Sequence, residues 1–196
     1  MQENEMQEQQ ETKSQAIDFS TEFDTLLNAK GKITTSMLMA VNRYFLYFSF
    51  FESLLLGCSG GQKKSSDYAK ALKDRGFFDE SVIRSTFSVF ADRYITERQR
   101  YESLCGEDRH TNPKTKEKYY EVMHAKADNL VTQFELCLFV CFRLRNNLFH
   151  GPKWRYFLDG QEELLLTAGT FIHSILEKVP RSEDGWDFQD ILSPTE

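Results

Sequence analysis

The chain of 196 residues carries a net charge of −6, from 24 Lys and Arg against 30 Asp and Glu, and contains 17 Phe but only 4 Pro and 10 Gly. This length leaves room for one domain of ordinary size and not for two. So few Pro and Gly residues exclude a many-turned β-sandwich or barrel and extensive disorder. Composition therefore favours a single helical domain.

The acidic residues are concentrated towards the two ends of the chain. Residues 1–24 hold seven acids and one base, and residues 177–196 hold six acids and two bases, which leaves a net charge of +4 on residues 25–176. A basic body can attract phosphate groups at close range. The alternative is that this charge is ordinary and that the acidic ends only keep the protein soluble.

The N-terminal residues form a Glu/Gln run and do not resemble a signal peptide, and the apolar stretch 44–56 is too short and too polar to cross a membrane. We therefore expect a cytoplasmic protein with no membrane partner. No C-x-x-C pair and no other metal-ligand pattern is present, so the expected cofactor is none and the cysteines are expected to be free thiols.

The first half of the chain predicts three helices. Residues 1–16 are predicted to be a disordered, Glu/Gln-rich N-terminal tail, and a short helical pattern ends at Gly31. A long apolar helix is predicted over 35–56, with Gly57 as its stop. The loop that follows, GCSGGQKKSS, lacks the spacing and the preceding strand of a P-loop. A short helix is predicted over 67–75.

The second half predicts three more helices and a tail. One is predicted over 79–104, and another begins at Asn112-Pro113, a good N-cap and first helical residue, and continues to about His150. The last helix is predicted over 159–178. The sequence thus predicts an all-α bundle over residues 17–178, followed by an acidic C-terminal tail, 179–196, for which disorder is the expectation.

The predicted helix that ends at His150 has two apolar faces. One follows an unbroken spacing of three and four from Tyr119 to Leu148, and the other consists of Leu136, Phe139 and Phe142. A second apolar face has two interpretations. The helix is either central and covered on both sides within one chain, or its second face is a homodimer interface that also holds Asn146 and His150.

His150 lies at the predicted end of that helix, where the partial negative charge of the helix favours a protonated imidazole. Such a group suits proton transfer near neutral pH. The neighbouring cations are phosphate ligands by type: Arg143, Arg145, Lys153 and Arg155. Glu52, in an otherwise apolar helix, requires a partner, for which Arg145 or Arg43 would serve.

The segment Arg145-Asn146-Asn147-Leu148-Phe149-His150-Gly151 resembles the R-x4-H motif of the HEPN superfamily, the higher eukaryote and prokaryote nucleotide-binding domain. In that superfamily the motif lies at the end of a long helix. The resemblance is strongest over residues 137–153. It implies a HEPN-like helical bundle whose long central helix ends at the motif. Pro152 departs from the pattern, since related sequences often have Gly there.

The resemblance implies a metal-independent endoribonuclease, often a toxin or a phage-defence effector, that is built as a homodimer. Arg145, Asn146 and His150 would be catalytic. By the same resemblance, Arg145 would stabilise the phosphorane, Asn146 would orient the imidazole or contact phosphate, and His150 would transfer the proton. Cleavage would leave a 2′,3′-cyclic phosphate and a 5′-OH. The residues expected to bind RNA are Arg143, Asn147, Lys153 and Arg155.

Two other functions fit the sequence. One is a non-catalytic HEPN module that binds nucleotide or protein, and the other is a helical interaction protein unrelated to the superfamily. For the ribonuclease, an antitoxin or another regulatory protein is a possible partner.

Overall fold

The structure is a computed structural model that describes residues 18–107, 109–150 and 158–193, without the side chain of His150. The predicted N-terminal tail, 1–16, lies outside the described residues. The fold is all-α, as predicted. The described helices are α1 (Phe19–Leu27), α2 (Thr35–Leu55), α3 (Ser65–Asp74), α4 (Glu80–Thr96), α5 (Arg98–Cys105), α6 (Pro113–His124), α7 (Leu130–His150) and α8 (Glu162–Glu177).

Side-chain caps fix the starts of several helices. The Thr34 hydroxyl accepts a hydrogen bond from the Met37 N–H at the start of α2, at 3.1 Å. Asn112 accepts from the Lys114 N–H at 2.8 Å, which confirms the predicted Asn112-Pro113 start of α6. Each cap satisfies an N–H group that the first turn of a helix leaves without a backbone partner.

Two helices that were predicted as continuous are broken. The segment 79–104 divides at Glu97, whose backbone is extended with φ −134° and ψ 91°. The segment 113–150 divides after α6, where Lys126 adopts a left-handed φ of 47° and the Lys126 and Ala127 N–H groups bond the Met123 and Val122 carbonyls. This bond pattern ends a helix. The three-and-four spacing of apolar residues continues through the break, so the sequence pattern predicted one continuous helix.

Helix α7 is the centre of the bundle. It packs between α3 and α4, while α2 packs along α8. The predicted dimer interface of Leu136, Phe139 and Phe142 is wrong, because all three side chains are 0% exposed within one chain. The Phe139 ring packs on Tyr119 and the Phe142 ring packs on Phe48, with ring centroids 4.3 and 5.2 Å apart. The second apolar face is therefore core.

The C-terminal segment packs on the end of α2 as far as it is described. The N–H groups of Gln189 and Ile191 donate to the Leu54 and Leu55 carbonyls at 2.7 and 2.9 Å, and the Ile191 side chain is buried. Trp186 packs edge-on against Phe50 of α2. The expectation of a disordered tail is thus wrong for residues 179–193, because Val179 and Ile191 are part of the core and Trp186 and Leu192 pack against it, although Phe188 is exposed.

None of the helices in the described ranges is long and apolar enough to span a membrane.

Candidate functional site

The last two turns of α7 present the motif in two directions. Arg143 and Asn147 point inward and are buried, whereas Asn146 is half-exposed and Phe149 is exposed. Arg145 lies between these extremes, with 27% of its side chain accessible. His150 is the last residue of the helix, and its side chain lies outside the described part of the structure. Helical geometry places Asn146 and His150, four residues apart, on one face.

Arg145 is fixed by contacts with α2 and with the loop that follows α2. Its Nη2 donates to Glu52 Oε1 at 2.5 Å and to the Gly60 carbonyl oxygen at 3.3 Å. The guanidinium carbon lies 5.6 Å from the centre of the Phe48 ring. Of the two partners expected for Glu52, the structure thus selects Arg145. The Arg145 Nε is buried and has no hydrogen-bond partner in the described part of the structure, so the guanidinium keeps a donor that these contacts do not satisfy.

The loop after α2 approaches Arg145 closely because Gly60 has no side chain. A Cβ atom at Gly60 would lie 2.6 Å from Leu56 Cδ1, 3.1 Å from Glu52 Oε1 and 3.1 Å from Phe142 Cε1. Any other residue would therefore require the Leu56 side chain to move and the Glu52 and Phe142 side chains to give way by a few tenths of an ångström, which disturbs the Glu52–Arg145 ion pair. The glycine-rich sequence, which is not a P-loop, brings a backbone carbonyl to the motif arginine.

A buried network behind Arg145 holds three segments together. The Arg143 guanidinium donates to the Leu104 carbonyl, Gln62 Oε1 and Asn147 Oδ1 at 3.0, 3.2 and 3.1 Å. Asn147 also donates to the Leu104 carbonyl at 3.0 Å. Gln62 in turn donates to the Thr111 hydroxyl at 3.3 Å. Burial lowers the pKa of Arg143, because desolvation disfavours its charged form.

Two predicted RNA-binding residues are corrected by this network. Arg143 and Asn147 are 4% and 7% exposed and are engaged by neutral groups of the same chain, so neither can contact RNA in this conformation. They bind the end of α7 to α5 and to the loop after α2. The other two predicted RNA ligands, Lys153 and Arg155, lie outside the described residues.

No known protein family matches this chain, and no curated protein or solved structure matches it. Its function must therefore be argued from its own residues.

The described residues do not support a metal site or a reactive cysteine. No group of three or more His, Cys, Asp or Glu side chains there is placed to hold a metal ion. Burial raises the pKa of three cysteine thiols, to about 11 for Cys105 and further for Cys137 and Cys141. These thiols remain protonated at neutral pH, which is the inert form.

Helices α2 and α7 expose four large apolar side chains. The Phe45 and Phe149 rings lie 5.3 Å apart, 39% and 54% exposed, one on α2 and one on α7. Leu46 and Met39 follow on α2, 54% and 61% exposed. We call Met39, Phe45, Leu46 and Phe149 the outer apolar face. Unlike the predicted interface on α7, this face is accessible.

The prediction from sequence missed two contributors to the site. Gly60 and Gln62 lie in the loop that was considered only as a possible P-loop. Its signal was the pair of glycines followed by a polar residue immediately after a long apolar helix. That pattern indicates close approach of backbone to another group, but it does not name the group.

Proposed function

We propose that this protein is a metal-independent endoribonuclease whose catalytic residues are Arg145, Asn146 and His150. The observation that supports this most is the placement of Arg145. Its guanidinium is oriented by Glu52 and Gly60, its side chain is 27% exposed, and it lies beside the half-exposed Asn146, within the last two turns before His150. Such an arrangement suits one phosphate group bound next to a proton-transfer group.

In the proposed reaction the ribose 2′-oxygen attacks the adjacent phosphorus. The new 2′-O–P bond forms as the P–O5′ bond breaks, which gives a 2′,3′-cyclic phosphate and a 5′-OH. Arg145 stabilises the additional negative charge on the phosphorane. An imidazole takes the 2′-OH proton and another acid protonates the departing 5′-oxygen. The internal nucleophile is held next to phosphorus by the substrate itself.

The need for both a base and an acid favours a homodimer. Each chain supplies one His150 at this site, and a second copy would bring a second imidazole. We place the interface on the outer apolar face, because its residues are exposed and one of them, Phe149, lies one helical turn after Arg145 on α7. Exposed apolar residues grouped in this way are typical of protein–protein contacts. The two motifs would then face each other across one cleft.

The test is cleavage of single-stranded RNA by purified protein in EDTA, with DNA of the same sequence as control and with mapping of the product ends. We expect cyclic phosphate ends on RNA and no cleavage of DNA. His150→Ala should lower the rate by roughly 10²–10⁴-fold, as the loss of a general acid or base does. Arg145→Lys should also be inactive, because a point charge cannot replace the planar guanidinium.

Three results would contradict the proposal. Activity that EDTA abolishes and Mg²⁺ restores would show a metal-dependent reaction. Equal activity of His150→Ala would remove the proton-transfer role. Absence of cleavage by a dimer with both residues intact would favour the other HEPN-like function, a module that binds nucleotide or protein without catalysis.

A toxin or phage-defence role, with a neutralising partner, would be tested by measuring the growth of cells that express the protein.

A further inference from the structure

We propose that residues 60–64 form a binding subsite for the RNA backbone next to the scissile phosphate, with Lys63 and Lys64 as its phosphate ligands. This inference rests on the proposed ribonuclease function and extends it. It names single-stranded RNA as the ligand and identifies two cations outside the motif. The sequence of this loop was set aside as a P-loop, and the fold gives it a different use.

The loop is held against the site at both ends. The Gly60 carbonyl accepts from Arg145 at 3.3 Å, and Gln62 accepts from Arg143 at 3.2 Å. The Ser65 hydroxyl donates to the Gln62 carbonyl at 2.8 Å, and its side chain is fully buried. These contacts fix residues 60–65 relative to the motif.

Two exposed lysines follow directly. Lys63 and Lys64 are the last residues of a short 3₁₀ turn, Gln62–Lys64, and neither has a carboxylate partner among the described residues. By contrast, several exposed arginines of the described chain are engaged by carboxylates, at 2.7–2.9 Å: Arg84, Arg98 and Arg100. Lys63 and Lys64 are three and four residues after Gly60, whose carbonyl bonds Arg145, so their backbones lie within about 11 and 14 Å of that residue.

The positions of the interface, Arg145 and the loop along α2 define a path for the RNA strand. The outer apolar face meets α2 at Phe45, Arg145 meets it at Glu52, and the loop begins after Leu55. Arg145 thus lies between the proposed dimer interface and the two lysines. A strand with its scissile phosphate at Arg145 can leave the cleft across the loop, where Gly60 and Gly61 carry no side chains to obstruct it.

The experiment measures binding of a labelled 2′-O-methyl RNA oligonucleotide by fluorescence anisotropy between 50 and 200 mM salt. This probe lacks the 2′-OH nucleophile, so binding is measured without cleavage. The variant is Lys63→Gln with Lys64→Gln. The matched control is Lys70→Gln with Lys73→Gln, which removes the same charge from exposed positions further along α3.

Loss of two phosphate contacts should lower the slope of log K against log salt by about 1.4 and weaken binding roughly tenfold near 150 mM salt. The control pair should change neither value. If both double variants bind alike, or if the wild-type chain does not bind the probe, the subsite is overturned. Lysine-dependent binding without cleavage of ordinary RNA would leave the subsite intact and refute the nuclease. Cleavage of RNA combined with binding that does not depend on the two lysines would support the nuclease and refute the subsite.

Discussion

Glu52→Gln is the substitution that isolates the role of the ion pair at the site. Gln keeps the shape of the side chain and one acceptor oxygen but removes the charge opposite Arg145. The bond is short, 2.5 Å, and the two side chains are only 19% and 27% exposed, so it is screened less than a surface pair. The substitution leaves one hydrogen bond to the charged guanidinium but removes the attraction of the two opposite charges, which exceeds the roughly 0–1 kcal/mol of a fully exposed ion pair because this pair is partly buried. We expect the free energy of unfolding to fall by about 1–2 kcal/mol.

The rate of RNA cleavage should fall by more than the loss of stability explains, because the guanidinium would no longer be held at the phosphate position. A displacement of about 1 Å of a catalytic group can cost roughly 10²-fold in rate. The matched control is Glu135→Gln, since this largely buried carboxylate of α7 bonds Lys118 and Tyr119 at 2.7 and 2.8 Å. Urea denaturation and RNA cleavage are measured on both variants.

The control should lose comparable stability and keep its cleavage rate. Equal loss of activity in the two variants would show that Glu52 only stabilises the fold. An active Glu52→Gln enzyme would show that Arg145 does not need this partner.

Four further predictions concern the fold and the interface. Leu46→Glu, on the outer apolar face, should give a monomer by sedimentation that is folded by circular dichroism and does not cleave RNA, while Leu166→Glu, on α8, should leave the assembly unchanged. Phe139→Glu should prevent folding, because it buries a charge. Ile191→Ala should lower the free energy of unfolding by about 2 kcal/mol or more in urea denaturation, whereas an unaltered midpoint would mean that the segment does not dock. Gly60→Ala should cost about 1–3 kcal/mol by overpacking and reduce cleavage, and full activity would refute the close approach.

Features determined by local hydrogen bonding were predictable from the sequence. The start of α6 at Asn112-Pro113 follows from the capping chemistry of the two residues, whatever packs around them. The break before α7 was not predictable in this way. It depends on a left-handed Lys126, a conformation that glycine adopts readily and that lysine adopts rarely.

The candidate site was predictable in its parts and not in its orientation. Glu52 was expected to require a cationic partner, because an isolated carboxylate is costly among apolar side chains, and Arg145 is that partner. Helical periodicity could not show whether Phe139 and Phe142 face another helix or another chain, since either neighbour would present apolar side chains to them. Nor could it show that Arg143 is buried, because its acceptors come from segments remote in sequence.

The pairing of residues 189–191 with Leu54 and Leu55 also affects the order in which the protein is completed during synthesis. Contacts between segments far apart in sequence form late, because closing the long intervening chain costs entropy. Residues 189–191 leave the ribosome after all the described helices, and they dock within one turn of Glu52. A nascent chain that already contains α2 and α7 therefore still lacks the backbone bonds that complete the end of α2, the helix end from which Glu52 reaches Arg145.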